Sequence, residues 1–222
     1  MKRILSILFF LWMISSVCLG ASPETINSDA TVNIVEAAPT TNYATTNPME
    51  ISTYGAADKR NALIKFDLSG ITGPVTVSSV VITLQDWNVS SGTTDTIRLY
   101  RCLRNWVEGE ATWNIYSTGN SWSTAGGSGS GTDRAASESA NWNETTSAWS
   151  TQTISSTTQL CSDVQDMINN GSNYGWIFIQ DYTATHYHDF ATDDDATPAN
   201  RPTIVVTYTA GASSTSQVIM VQ

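Results

Sequence analysis

The chain has 222 residues, 41% of them hydrophobic, and a formal net charge of −10 at pH 7, with 10 basic against 20 acidic side chains. That length suits one sandwich domain and hardly two. The acidic balance, with no basic stripe, excludes a phosphate-backbone partner and leaves metal cations or neutral, hydroxyl-rich ligands.

In chain order, Met1 to Gly20 joins Lys2 and Arg3 to an apolar run from Ile4 to Val17 and small residues near Gly20. This is the layout of a secretory signal, with cleavage expected after Gly20 and no stable membrane insertion thereafter. A retained anchor is the other reading, for which the run is short. Cys18 follows Ser15, Ser16 and Val17, which do not form a lipobox. Without this segment Lys2 and Arg3 are lost and no acid, so the remainder carries 8 minus 20, or −12.

Residues 21–29 read as a leader, and Thr31 to Ala38 as the first strand. Pro39, Asn42, Asn47 and Pro48 then punctuate a turn-rich stretch, and Met49 to Tyr54 forms a second strand. Ala62, Ile64 and Phe66 alternate with Leu63, Lys65 and Asp67, the pattern of a half-buried strand. Val75 to Gln85 continues the period, with Val80, Ile82 and Leu84 on one face. Along Thr96 to Leu103, Ile97 and Leu99 face one way, and Tyr100 and Cys102 the other.

The segment RNWVEGEATWN (Arg104 to Asn114) follows. Trp106 and Trp113 bracket Glu108, Gly109 and Glu110, and large aromatics at both ends of a turn clamp it onto a core. From Tyr116 to Trp149 aliphatics are sparse, and Gly126 to Gly131 is a flexible loop with no Lys or helix pattern after it to make a phosphate cradle. Thr151 to Leu160 is strand-like, Ser162 to Asn170 a short helix ended by Gly171, and Gly175 to Gln180, Tyr187 to Ala191 and Pro202 to Thr209 complete the strands. Short alternating segments with frequent turns predict an all-β jelly-roll β-sandwich, a single domain over residues 30–209 with at most one short helix.

IKFDLSGI (Ile64 to Ile71), NWVEGEATWN (Asn105 to Asn114) and DDATPANRPTIVVTY (Asp194 to Tyr208) occur in an order that resembles the DNRLRE-type domain, also classed as the family-96 carbohydrate-binding module. The resemblance spans about Ala30 to Thr209. It implies a jelly-roll sandwich, extracellular use, no catalysis, and binding to polysaccharides such as alginate-like polymers. Where that family commonly has a Gly-Gly-Asp loop this chain reads GGSGSGTD, which displaces Asp133.

Trp122, Trp142, Trp149 and Tyr116 are the candidate carbohydrate contacts, because an exposed ring stacks on the apolar face of a sugar. The alternative is that these rings pin the long loop to the sheet. Asp193, Asp194 and Asp195, with Glu108, are candidate Ca²⁺ ligands, since hard oxygens on a turn suit that ion; Asp29 and Asp189 are weaker additions, and a solvated acidic turn is the other reading. Glu108 also suits backbone hydrogen bonds within its own turn. Glu108 with Glu110 lacks the cleft that a glycosidase pair needs. His186 and His188 share a strand face and hold a transition metal only if a third ligand converges. In an exported chain Cys102 and Cys161 read as a disulfide, with two buried thiols as the alternative. Asn88, Asn143 and Asn170 head glycosylation sequons.

Residues 210–222 are a small-residue linker and an apolar strand-like tail, Gln217 to Gln222. The tail either folds onto its own sheet edge or fills an edge of a neighbouring copy, which propagates a filament. The expected function is therefore a secreted, non-catalytic module that binds extracellular polysaccharide, with a filament subunit built by strand exchange as the alternative.

Overall fold

A computed structural model describes residues 22–55, 57–90, 94–145, 149–180 and 186–211. The signal-like segment and the apolar tail lie outside these residues. The strands are β1 (Glu24–Val35), β2 (Met49–Thr53), β3 (Lys59–Phe66), β4 (Val75–Val89), β5 (Thr94–Arg101), β6 (Ile115–Ser117), β7 (Asn120–Ser121), β8 (Ala140–Thr145), β9 (Thr151–Ile154), β10 (Trp176–Gln180), β11 (His186–Phe190) and β12 (Thr203–Ala210). One helix, α1 (Thr158–Asn170), lies between β9 and β10. No helix among the described residues is long and apolar enough to cross a membrane.

The strand pairs are antiparallel, and they close on themselves. β1 pairs with β12 through Glu24–Asn27 and with β3 through Ser28–Val35, shifting register between Ser28 and Ala30. β4 pairs with β12 along Val75–Thr83 and then with β11 along Asp86–Val89, again across a register shift. β11 continues to β2, and β2 to β3. β10, β5 and β8 extend the sheet from β3, and β9 joins β4. Among the described residues the fold is thus mostly β, with one α-helix and a closed, barrel-like sheet. β1 begins within the expected leader because Glu24 to Asn27 find a partner edge on β12.

The expected faces of β4 and β5 hold: Val80, Ile82, Leu84, Ile97 and Leu99 are fully buried in one cluster with Phe66, Trp176, Phe178 and Phe190. β3 departs from expectation. Ala62, Ile64 and Phe66 enter that cluster, but Leu63 is equally buried on the opposite face, with Val32, Ile34, Trp106, Trp113, Trp122 and Ile177. A strand that reads as half-buried is buried on both sides because the Trp-rich segment covers its second face.

The expected Thr151 to Leu160 strand stops at Ile154. Thr157, in extended conformation, accepts the Leu160 N–H through its hydroxyl and starts the helix four residues before Ser162. Leu160, Val164 and Met167 bury one stripe of α1, and Gly171 at φ 67° ends it. The amides of Val75 and Val77 donate to the side chains of Asn169 and Gln165, so polar groups of α1 satisfy the rim of β4 where no strand covers it.

Candidate functional site

Of the four predicted ligand contacts, Trp122 and Tyr116 pin the loop. Trp106 is fully buried and Trp113 nearly so. The Trp122 ring is buried and donates its N–H to the Thr112 carbonyl at 2.9 Å, while Tyr116 tilts against it at 5.4 Å. Trp142 is a β8 residue, opposite Ile97 of β5, and meets Phe178 and Phe190 edge-on. Trp149 alone of the four stands out, 68% exposed and 5.7 Å from the Trp87 ring. Its φ of 65° is unusual for a bulky side chain.

Three of the four acids expected to ligate calcium, Glu108, Asp193 and Asp195, accept hydrogen bonds. Asp195 takes the side chains of Asn47 and Asn200 and the Thr197 amide. Burial pushes its carboxyl up, but these bonds outweigh burial and hold it below the usual range. Glu108 Oε1 accepts the Thr31 amide at 2.9 Å and Asp193 the Thr31 hydroxyl at 2.5 Å. Burial raises both carboxyls, and Asp194 adds repulsion to each. Among the described residues no group of three or more His, Cys, Asp or Glu side chains is placed to hold a metal ion.

The histidine pair meets a carboxylate by direct contact and not across a metal-sized gap: Asp95 Oδ2 lies 2.8 Å from His186 Nδ1 and 3.1 Å from His188 Nε2. His188 is fully buried, and that burial lowers its pKa against the pull of Asp95. The expected disulfide is not made. Cys102 is a buried free thiol in the Trp-rich cluster, and Cys161 is a free thiol on α1 packed against the main core beside Ser156. The two faces of the β3 layer keep them apart. The sequon residues Asn88, Asn143 and Asn170 are all exposed.

One of the polar depressions among the described residues lies elsewhere, on β1, β2, β3 and β11. Tyr54 is 41% exposed and stacks on Tyr187, with centroids 6.2 Å apart and planes 23° from parallel. The Arg60 guanidinium covers the Tyr54 ring at 4.8 Å. Arg60 Nη1 meets Glu50 Oε2 at 2.6 Å and its Nε meets Asp58 at 3.4 Å. Asn88 donates to the Tyr187 hydroxyl at 3.2 Å. Beside this group is a depression of about 290 Å³ lined by Glu50, Arg60 and Asp189 with Asn33, Tyr43 and Pro48. The Asn33 side chain shapes its floor, accepting the Glu50 amide and donating to the Pro48 carbonyl. Alternation hints that Tyr187 points away from buried His188, but nothing in the sequence pairs β11 with β2.

Glu50 and Asp189 face each other in register across β2 and β11. Burial, then Glu50, push the Asp189 carboxyl up to about 7, against Arg60. A raised carboxylate pKa means that the folded chain binds a proton the unfolded chain releases. Stability from this group is therefore complete below the unfolded value near 4 and falls as pH rises from about 4 to 7. Asp189→Asn is expected to flatten that slope and to stabilise the fold above pH 7 by on the order of 1–2 kcal/mol after solvent screening. Urea unfolding at acidic and alkaline pH checks it, and parallel pH profiles for the two proteins would refute it.

Residues 21–118 match the model of a family described as carbohydrate-binding module family 96. The match bears out the resemblance read from the sequence, and it takes in β1 to β6 together with the Trp-bracketed turn. No curated protein matches the chain.

Proposed function

We propose, because residues 21–118 match the model of carbohydrate-binding module family 96, that the chain is a non-catalytic module that binds polysaccharide outside the cell, on a jelly-roll sandwich. The signal-like pattern of Met1 to Gly20 supports export. The observation that carries the reading is the stack of exposed Tyr54 on half-buried Tyr187 beside a polar depression. Flat rings replace ordered water against the apolar face of a pyranose, and flanking polar groups orient its hydroxyls. Exposed Trp149, packed against half-buried Trp87, offers a second aromatic surface that a longer chain can reach.

Affinity electrophoresis against a panel of polysaccharides, followed by calorimetry with the best oligosaccharide, tests the proposal. Tyr54→Ala is expected to weaken binding by roughly tenfold, the worth of one stacked ring, without loss of fold. Retardation by no polysaccharide, or equal binding by Tyr54→Ala and Trp149→Ala together, counts against it.

A further inference from the structure

Resting on the reading of the chain as a polysaccharide-binding module, we infer that the glycan is gripped at the exposed ring of Trp149 and runs from there across the strands, over Trp87 and Asn88, to the β11 face that carries Tyr187 and Asp189. The site then takes an internal stretch of an extended chain and not a single terminal sugar.

The grip is built in advance. Trp149 is the most exposed large hydrophobic side chain among the described residues, and the one non-glycine residue among them with a left-handed backbone. A bulky residue adopts that conformation only where its surroundings impose it. Here the next residue does so. The Ser150 carbonyl accepts the Asp86 amide at 2.9 Å and the Gln85 side chain at 2.7 Å, and the Ser150 hydroxyl donates to Asp86 Oδ2 at 2.5 Å. β9 begins one residue later, paired with β4. Trp87 backs the ring from 5.7 Å, tilted by 37°. Fixing a large ring while leaving it in solvent gives the folded chain little, but it spares a ligand the entropy of ordering that side chain.

From this ring a line of side chains crosses the sheet. Asn88 pairs with Asp189 and Asp86 with Phe190, so Trp87 is the extra residue of a β-bulge. The bulge lets two consecutive residues face outward: half-buried Trp87 packs against exposed Trp149, and exposed Asn88 donates to the Tyr187 hydroxyl at 3.2 Å. Asp189 in turn pairs with Glu50 of β2, where the line meets the polar depression. Adjacent strands lie about 4.8 Å apart, close to the length of one sugar unit in an extended chain, so a glycan crossing from the edge of β9 to β2 covers roughly three or four units. Tyr187 accepts from Asn88 and keeps its own O–H to donate to a sugar hydroxyl. The Tyr54 ring is covered by Arg60 and Tyr187, which leaves Trp149 as the open ring face on this line.

Calorimetry with β-linked glucan, mannan and mannuronan oligomers, from dimer to hexamer, tests this on protein made in a host that leaves Asn88 unmodified. In the series that binds, affinity is expected to rise at least about tenfold from dimer to tetramer and then to level off. Trp149→Ala should cost the hexamer about tenfold or more, the worth of a stacked ring, with the melting curve unchanged. Trp149→Tyr, which keeps a flat ring, should retain most of the affinity. Equal affinity for dimer and hexamer would overturn the extended-chain reading. A hexamer that binds Trp149→Ala as tightly as the parent chain, yet is lost in Tyr54→Ala, would keep the carbohydrate site and overturn the grip at Trp149. If only whole polysaccharide binds, equal retardation of Trp149→Ala and the parent chain on the gel would overturn it too. Binding of no oligomer, with retardation by no polysaccharide, would remove the proposed function and this inference with it.

Discussion

Asp133→Ala lowers the unfolding free energy by roughly 3–5 kcal/mol, the range for removing one partner of a buried charged network. Asp133 is fully buried. Its carboxylate accepts the amides of Ser123 and Thr124, each at 2.8 Å, and of Gly129 at 3.2 Å, and it meets Arg104 Nε at 3.5 Å. One side chain thereby organises the loop from Ser123 to Asp133 and ties it to the end of the Trp-bracketed turn. Alanine leaves three backbone donors facing a dry space, and each unsatisfied donor costs about 1–3 kcal/mol. Asp133→Asn keeps one acceptor oxygen and should fall between the two. Urea unfolding monitored by tryptophan fluorescence reads the effect, because Trp113 and Trp122 belong to the same cluster. A loss below about 1 kcal/mol, the scale of a single exposed contact, would show that the loop has other anchors.

Trp106→Ala is expected to cost as much, roughly 3–5 kcal/mol, the range for deleting a fully buried large aromatic side chain. The ring is the most deeply buried of the three tryptophans on the second face of β3. Its indole N–H donates to the Tyr174 carbonyl at 2.8 Å, and the Lys65 ammonium lies 4.2 Å above its centroid while donating to its own carbonyl. Burial under this ring pulls the Lys65 ammonium below its usual range. Removing the ring leaves a cavity, an orphaned carbonyl and a cation without its π face. Trp106→Phe, which restores much of the volume but not the N–H, should recover more than half of the loss. Equal destabilisation by Phe and Ala would assign the effect to the hydrogen bond and not to packing.

The strand faces were legible residue by residue. Val80, Ile82 and Leu84, or Ile97 against Tyr100, follow a period of two that no tertiary detail alters. The bracketing tryptophans were legible as a clamp, because large apolar rings in a polar stretch have only a core or a ligand to cover them. The start of α1 was missed because Thr157 caps it within a stretch rich in Ser and Thr that reads equally well as strand. β8 was missed because Trp142 lies among Asn and Thr, and only its neighbours Phe178 and Phe190 reveal it as core.

Asp133 is displaced from the family's usual loop position, yet it is the centre of its own loop, since the amides of Ser123, Thr124 and Gly129 converge on its carboxylate. Gly126 shows how closely the loop is fitted: it holds φ at 77°, donates its amide to the Trp113 carbonyl, and has no room for a side chain, since a Cβ would lie 2.6 Å from that ring.

From its own residues this chain specified an acidic, strand-rich, single-domain protein with an aromatic clamp, because alternation and composition act locally. Only the tertiary structure decided which rings face solvent and which carboxylates meet. Tyr54 and Tyr187 are more than a hundred and thirty positions apart, and they stack because β11 pairs with β2 in one register. Glu50 and Asp189 oppose each other for the same reason. Strand pairing is a long-range choice made by closure of the whole sheet, and a slip of one residue would turn every one of these side chains to the other face.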